Sequence, residues 1–185
     1  AVRIARDLGD VVDARLVLLA VPSPAVEDVA DALGQRLDGR HLVVHVSRGL
    51  IGDELQTVTQ VLRERTPCRR LGALAGPLQA EALAEGRPGG GVVGTRFPEV
   101  TEATREALGD ALRLYETDDV VGVEVASAMV GLLAIAAGYA RGRGVSPSLL
   151  AVLVSRGMAE AARVGRALRA AERTFGGLAG FGDFV

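Results

Sequence analysis

The chain has 185 residues, 49% of them hydrophobic, with aromatics at only 3% and no tryptophan. That length supports one substantial domain or two small ones sharing a face, with a core of Ala, Val and Leu. A formal net charge of −2 gives no global pull toward nucleic acid or an anionic membrane, so neither partner is expected. The single Cys68 excludes an internal disulfide and fits a reducing cytoplasm.

The opening "AVRIARD" has neither a basic n-region nor an initiator Met, so no signal peptide is read there. With the closing "GFGDFV" it reads as the end of a piece cut from something longer.

"LVLLAV", residues 16–21, is a short apolar run ending at Pro22, the pattern of a buried strand. Ser23 and Pro24 then have N-cap and first-turn chemistry, and Val26, Val29, Ala30, Leu33 and Leu37 recur at helical spacing. "HLVVHV", 41–46, reads as a second strand, and 53–65 as a helix with Leu55, Val58, Val61 and Leu62 inward. A third strand in "RLGALAGP" stops at Gly76-Pro77, followed by a short helix over 79–85. "GGVVGT" is a fourth strand, 98–112 a helix, and "RLYET" a last strand. Strands alternating with helices predict a parallel sheet covered on both faces. Past Asp118 the texture becomes helical, with long helices over 120–141 and 146–171, so a boundary is placed near residue 117.

"VASAMVGLLAIAAG", 125–138, has the length and apolarity of a membrane span. Glu124 and the diluting Gly122, Gly131 and Gly138 argue against lipid and for a buried core helix. The three glycines also predict close approach of a neighbouring helix.

Candidate chemistry is sparse. Gly89, Gly91 and Gly94 match G-x-G-x-x-G in form, but they lead into a strand rather than opening a helix, so the match is read as a coincidence. His41 and His45 share one side of a strand without a partner cluster and read as edge or core residues. Cys68 reads as a surface thiol. No metal motif is present. "SRGL", 47–50, follows a strand, where ligands of open α/β sheets sit. Arg48 there either grips a phosphate through its planar fork or is a solvated turn arginine.

The ordered segments "LLAVPSP", "SRGL", "LAGPLQAEALAEG", "YETDDVVGVEVASA", "LAIAAG", "SRGMAEAARVG" and "FGGLAGFGDFV" resemble the NAD(P)-dependent glycerol-3-phosphate dehydrogenases from about Leu16 to the last residue. The resemblance implies an α/β chain of the 6-phosphogluconate-dehydrogenase-like class. Residues 1–117 form a partial Rossmann-like parallel sheet, whose first strand and glycine finger are expected before residue 1. Residues 118–185 open an all-helical substrate and dimerisation domain. It implies NAD or NADP as cofactor, a small-molecule phosphate ester as substrate, and a homodimer through the helical part. Val21, Pro22, Ser23 and Glu124 then fall at the cofactor, and Arg48, Gly76 and Pro77 at the substrate.

Taking a hydride from carbon 2 also requires a base for the hydroxyl proton. The family's "A-L-K-N" segment falls on Ala128-Met129-Val130-Gly131, so Val130 stands at the lysine and Gly131 at the asparagine. Arg48 stands at a second family lysine and keeps its charge without serving as a base. Asp183 matches the family's active-site Asp. Loss of a positioned acid/base costs roughly 10²–10⁴ in rate. Three readings follow: a dehydrogenase segment with little activity, a degenerate paralogue that binds a nucleotide, phosphate ester or protein, and, more weakly, a related reductase with its base elsewhere.

Overall fold

The computed structural model describes Ile4 and residues 7–185. Five strands, β1 (Leu16–Leu19), β2 (Leu42–His45), β3 (Arg70–Ala75), β4 (Gly89–Thr95) and β5 (Leu112–Thr117), lie side by side in chain order. β1, β2 and β3 are parallel, as the alternating pattern predicts. Their crossovers carry α1 (Val26–Gly34) and α2 (Val58–Arg65), which pack with Val17, Leu19, Val43 and Leu71 in one apolar cluster. Strand pleating sends Leu42, Val44, Leu74 and Val93 to the other face, where they meet Val100 of α4 (Pro98–Leu108).

The all-parallel expectation fails at β4, which runs antiparallel to β3 with Ala73 opposite Gly94. A parallel return needs a crossover long enough to traverse a sheet face. The β3–β4 connection holds only α3 (Ala80–Ala84), five residues long, so the chain turns back beside the strand it left. β5 is then parallel to β4 and also opposed to the first three strands.

Several helix boundaries differ from the sequence reading. α2 starts at Val58, because Thr57 and Gln60 form a reciprocal capping box there. Leu55, expected inward, lies in the preceding turn at φ +53° and is exposed. The Ser23 hydroxyl caps no helix; residues Ser23–Ala25 form a 3-10 turn before α1. α4 ends at Leu108, since Gly109 has φ +57° and releases Leu112 into β5.

α5 (Val120–Gly142) and α6 (Pro147–Ala167) follow, with Ser146 capping α6 through the Leu149 amide as its Ser-Pro signature predicts. Two short helices, α7 (Glu172–Phe175) and α8 (Phe181–Phe184), finish the chain. The first half of α5 is a core helix: Val123, Val125 and Ala126 pack with Ala73 and Ala75 of β3 and with Ala161 and Phe175. Gly94 allows this approach, because a Cβ there would stand 3.0 Å from a Val123 methyl.

The second half of α5 departs from the buried-helix expectation, with Leu132, Ile135 and Tyr139 exposed. By length and composition the helix could cross a membrane, and half of its most apolar window is buried inside the fold. Gly131 and Gly138 touch nothing, so the predicted helix approach does not occur at them. It occurs at Gly157 of α6 against Leu133, and at Gly165 against Phe175.

Candidate active site

Parallel strands deliver their carboxyl ends to one edge, and the turns leaving β1, β2 and β3 meet there. Ser47, after β2, donates its hydroxyl to the Val21 carbonyl after β1 at 2.6 Å. Gly49 takes φ +115°, and a Cβ on it would stand 3.3 Å from the Ser23 hydroxyl oxygen. Gly76 closes β3 at φ +127°, where a side chain would meet the Gly91 backbone at 3.1 Å. Glycine is needed at both turns, one for conformation beside Ser23, the other for conformation and space.

Arg48 projects from this edge and reaches across the molecule. Its Nη2 donates to the Gly76 carbonyl at 3.3 Å and to Asp183 Oδ1 of α8 at 3.1 Å. Its Nη1 lies 2.6 Å from Asp183 Oδ2, an ion-pair contact without hydrogen-bond alignment, so that buried oxygen has no aligned donor. Arg48 is exposed in the turn after β2 and is at the same time paired with Asp183. The Asp183 side chain is only 7% exposed, against 43% for Arg48. Burial pushes the Asp183 carboxyl up from its ordinary value, and the Arg48 guanidinium opposes that rise. Part of the five-donor guanidinium fork stays open to solvent for a ligand. Pro77, beside Gly76, is half-buried.

Glu124 lies deeper, in the first turns of α5. Its Oε1 accepts from the Thr59 amide at 2.7 Å and faces His45 Nε2 at 3.0 Å. Its Oε2 accepts from the Thr59 hydroxyl at 2.6 Å. The other ring nitrogen of His45 faces the Ser47 carbonyl at 3.2 Å, so this network supports the residue preceding Arg48. Nothing local in the sequence announces the network, since 79 and 65 positions separate Glu124 from its partners. Asp119 is a second residue overlooked in the sequence. It caps α5 through the Gly122 amide and also accepts from the Ala171 amide and the Thr174 hydroxyl. An Asp just before a long apolar helix is a readable cap signal.

Val130 is buried in α5, 4% exposed, on the same stripe as Val123 and Ala126. Gly131 is exposed, with open space where a side chain would start. α5 packs against α8, the helix that carries Asp183.

Three other sequence candidates are structural. Gly89, Gly90, Gly91 and Gly94 all lie within β4, so they open no helix. His41 is fully buried, with Nε2 2.8 Å from the Val12 carbonyl. Cys68, expected at the surface, is buried at the entry to β3, and burial raises its thiol pKa. Among the described residues no three His, Cys, Asp or Glu gather to hold a metal.

Models of the NAD-dependent glycerol-3-phosphate dehydrogenase N-terminus and C-terminus match residues 1–100 and 119–185. The chain is 34% identical over its full length to the glycerol-3-phosphate dehydrogenase [NAD(P)+] of Desulfitobacterium hafniense, covering 53% of that protein. The chain belongs to this dehydrogenase family. It is 40% identical over 173 residues to glycerol-3-phosphate dehydrogenase [NAD(P)+] 1 of Salinibacter ruber, 90% of this chain and 50% of that one. The crystal structure of glycerol-3-phosphate dehydrogenase from Coxiella burnetii superposes with a TM-score of 0.90 at 25% identity, over 96% of this chain and 55% of that one. The chain thus spans about half the length of the curated relatives it matches. The family is NAD(P)-dependent, and its Rossmann-like sheet followed by helices is the architecture seen here.

Proposed function

We propose that the protein handles sn-glycerol 3-phosphate and NAD(P) as its family implies, in reversible hydride transfer giving dihydroxyacetone phosphate, with turnover strongly depressed. The observation that carries the second half is Val130, a buried hydrocarbon at the position of the family's lysine. None of the 185 residues is lysine, so no amine within the chain replaces it. Glu124, the nearest alternative carboxylate in sequence, spends both oxygens on Thr59 and His45.

The residues present fit a cofactor along one wall. The Val21–Pro22–Ser23 turn lies at the carboxyl end of β1, and the Ser23 hydroxyl carries no partner among the described residues. In this reading that turn holds the dinucleotide, and Glu124 supports it from beneath through His45 and Ser47. When bound, NAD(P) supplies the hydride acceptor. Arg48, fixed by Asp183 and the Gly76 carbonyl, binds the substrate beside Pro77 and polarises its oxygen. Arginine stays protonated at neutral pH, so it orients the alcohol but removes no proton. Residues 1–117 act as the dinucleotide-binding part, and 118–185 as the start of the substrate-binding and dimerising part, in a cytoplasmic protein.

A second reading, a binder of a phosphate ester or nucleotide without turnover, is favoured by the ordered Arg48–Asp183–Gly76 arrangement beside a missing base. Dihydroxyacetone phosphate reduction and NADH titration on the full-length protein separate the two. The expected result is NADH binding with turnover depressed by roughly 10²–10⁴, the typical worth of a positioned acid/base. Turnover within tenfold of an ordinary family member overturns the depressed-activity reading. Val130→Lys with Gly131→Asn is expected to raise turnover, and open space at Gly131 accommodates the asparagine.

A further inference from the structure

A second cleft, of about 350 Å³, opens at the opposite end of the sheet. Leu71, near the start of β3, lines this cleft, and Gly76, just past its end, belongs to the site already described, so roughly 15 Å of chain separates the two. Arg63 of α2, Arg96 after β4 and Arg169 after α6 line this cleft. Among the described residues none of their guanidinium groups has an ion pair or hydrogen bond, and these three converge on one cleft. Two acids share the wall with the three arginines, which leaves a cationic excess: Asp118, and Asp119, whose oxygens are held by the Gly122 and Ala171 amides and the Thr174 hydroxyl.

Backbone geometry adds an independent observation. Arg169 takes φ +66°, the left-handed conformation that ends a helix and that glycine ordinarily supplies. The Ala170 amide closes the turn onto the Gly165 carbonyl at 2.9 Å. A long side chain at such a position costs conformational energy, and here it sets a third cation on the cleft wall. The amino-terminal end of α5, already capped by the Asp119 carboxylate, borders the same space through Val120 and Val121. Phe97 and Leu168 supply apolar surface between the charges.

We propose that this cleft binds a small organic phosphate, the arginines taking the phosphate oxygens and the Phe97–Leu168 surface taking the apolar body. The three arginines take no part in the dehydrogenase reading; the cleft borders that site only through Thr59, which also holds Glu124.

The test is isothermal titration of the full protein with phenyl phosphate, inorganic pyrophosphate and phenol. Both phosphates are expected to bind, with affinity falling as salt rises, and phenol not to bind. Arg63→Ala and Arg96→Ala are each expected to weaken phenyl phosphate by about tenfold, the worth of a charge-assisted hydrogen bond. Arg169→Gly is expected to weaken it similarly while raising Tm by about 2–4 °C, because the backbone strain is relieved. Arg48→Ala is expected to leave the affinity unchanged, which separates this cleft from the dehydrogenase site. The proposal is overturned if neither phosphate binds at millimolar concentration. It is also overturned if Arg48→Ala abolishes binding while all three arginine variants retain it, or if Arg169→Gly lowers Tm with affinity intact.

Discussion

Arg48 and Asp183, 135 residues apart, meet through two contacts of 2.6 and 3.1 Å and tie the turn after β2 to the last helix. One partner is buried and the other is half in solvent, so the pair serves chiefly to position the guanidinium. The interaction is too exposed on the arginine side to carry much stability.

That asymmetry predicts an unusual pH response. The Asp183 carboxyl is pushed above its ordinary 3.8 by burial, so the folded chain binds its proton more tightly than the unfolded chain does. Its contribution to stability is therefore greatest at low pH and is lost as pH rises through the elevated value, the reverse of an ordinary salt-bridged aspartate. Thermal melts of the wild type and Asp183→Asn between about pH 3 and 6 check this. The wild type is expected to lose stability relative to the variant as pH rises, and parallel curves would contradict the assignment.

Glu124 carries a heavier structural load. Glu124→Ala strands the buried Thr59 amide and one nitrogen of His45, while the Thr59 hydroxyl keeps Thr57 as a partner, at an expected cost of about 3–5 kcal/mol in urea unfolding. Glu124→Gln keeps acceptor capacity at one oxygen and is expected to cost less. Equal losses in the two variants would mean that side-chain volume, not hydrogen bonding, sets the effect.

Gly94 meters the distance between β4 and α5. A methyl group there would press on Val123 at 3.0 Å and on the Val120 backbone at 3.2 Å. Gly94→Ala is expected to destabilise by about 1–3 kcal/mol through overpacking. An unchanged denaturation midpoint would show that α5 slides freely.

Cys68 is buried and its thiol is raised by desolvation, so a thiol reagent at neutral pH is expected to label it only as the fold opens. Labelling that saturates within seconds in native buffer, or fails to accelerate in denaturant, would place the sulfur elsewhere.

Local signals read well wherever a neighbour in sequence was the cause. Ser146 with Pro147 marked the start of α6, and the short apolar runs marked β1 and β2, because caps and pleats are decided within a few residues. The β3–β4 reversal was missed because the direction of a strand depends on the connection, and α3 is too short to carry the chain across a sheet face. Leu55 was misassigned because a four-residue capping box, Thr57 to Gln60, outweighed the apolar period.

By itself the sequence determined the order of strands and helices, the family, and the replacement of a lysine by Val130, all written in residue identity along the chain. Only the tertiary structure decided that Arg48 faces Asp183, that Glu124 is held by Thr59 and His45, and that three unpaired arginines share one cleft. Those contacts join residues tens to more than a hundred positions apart. Their partners are chosen by how sheet and helices pack, and no local pattern records that choice.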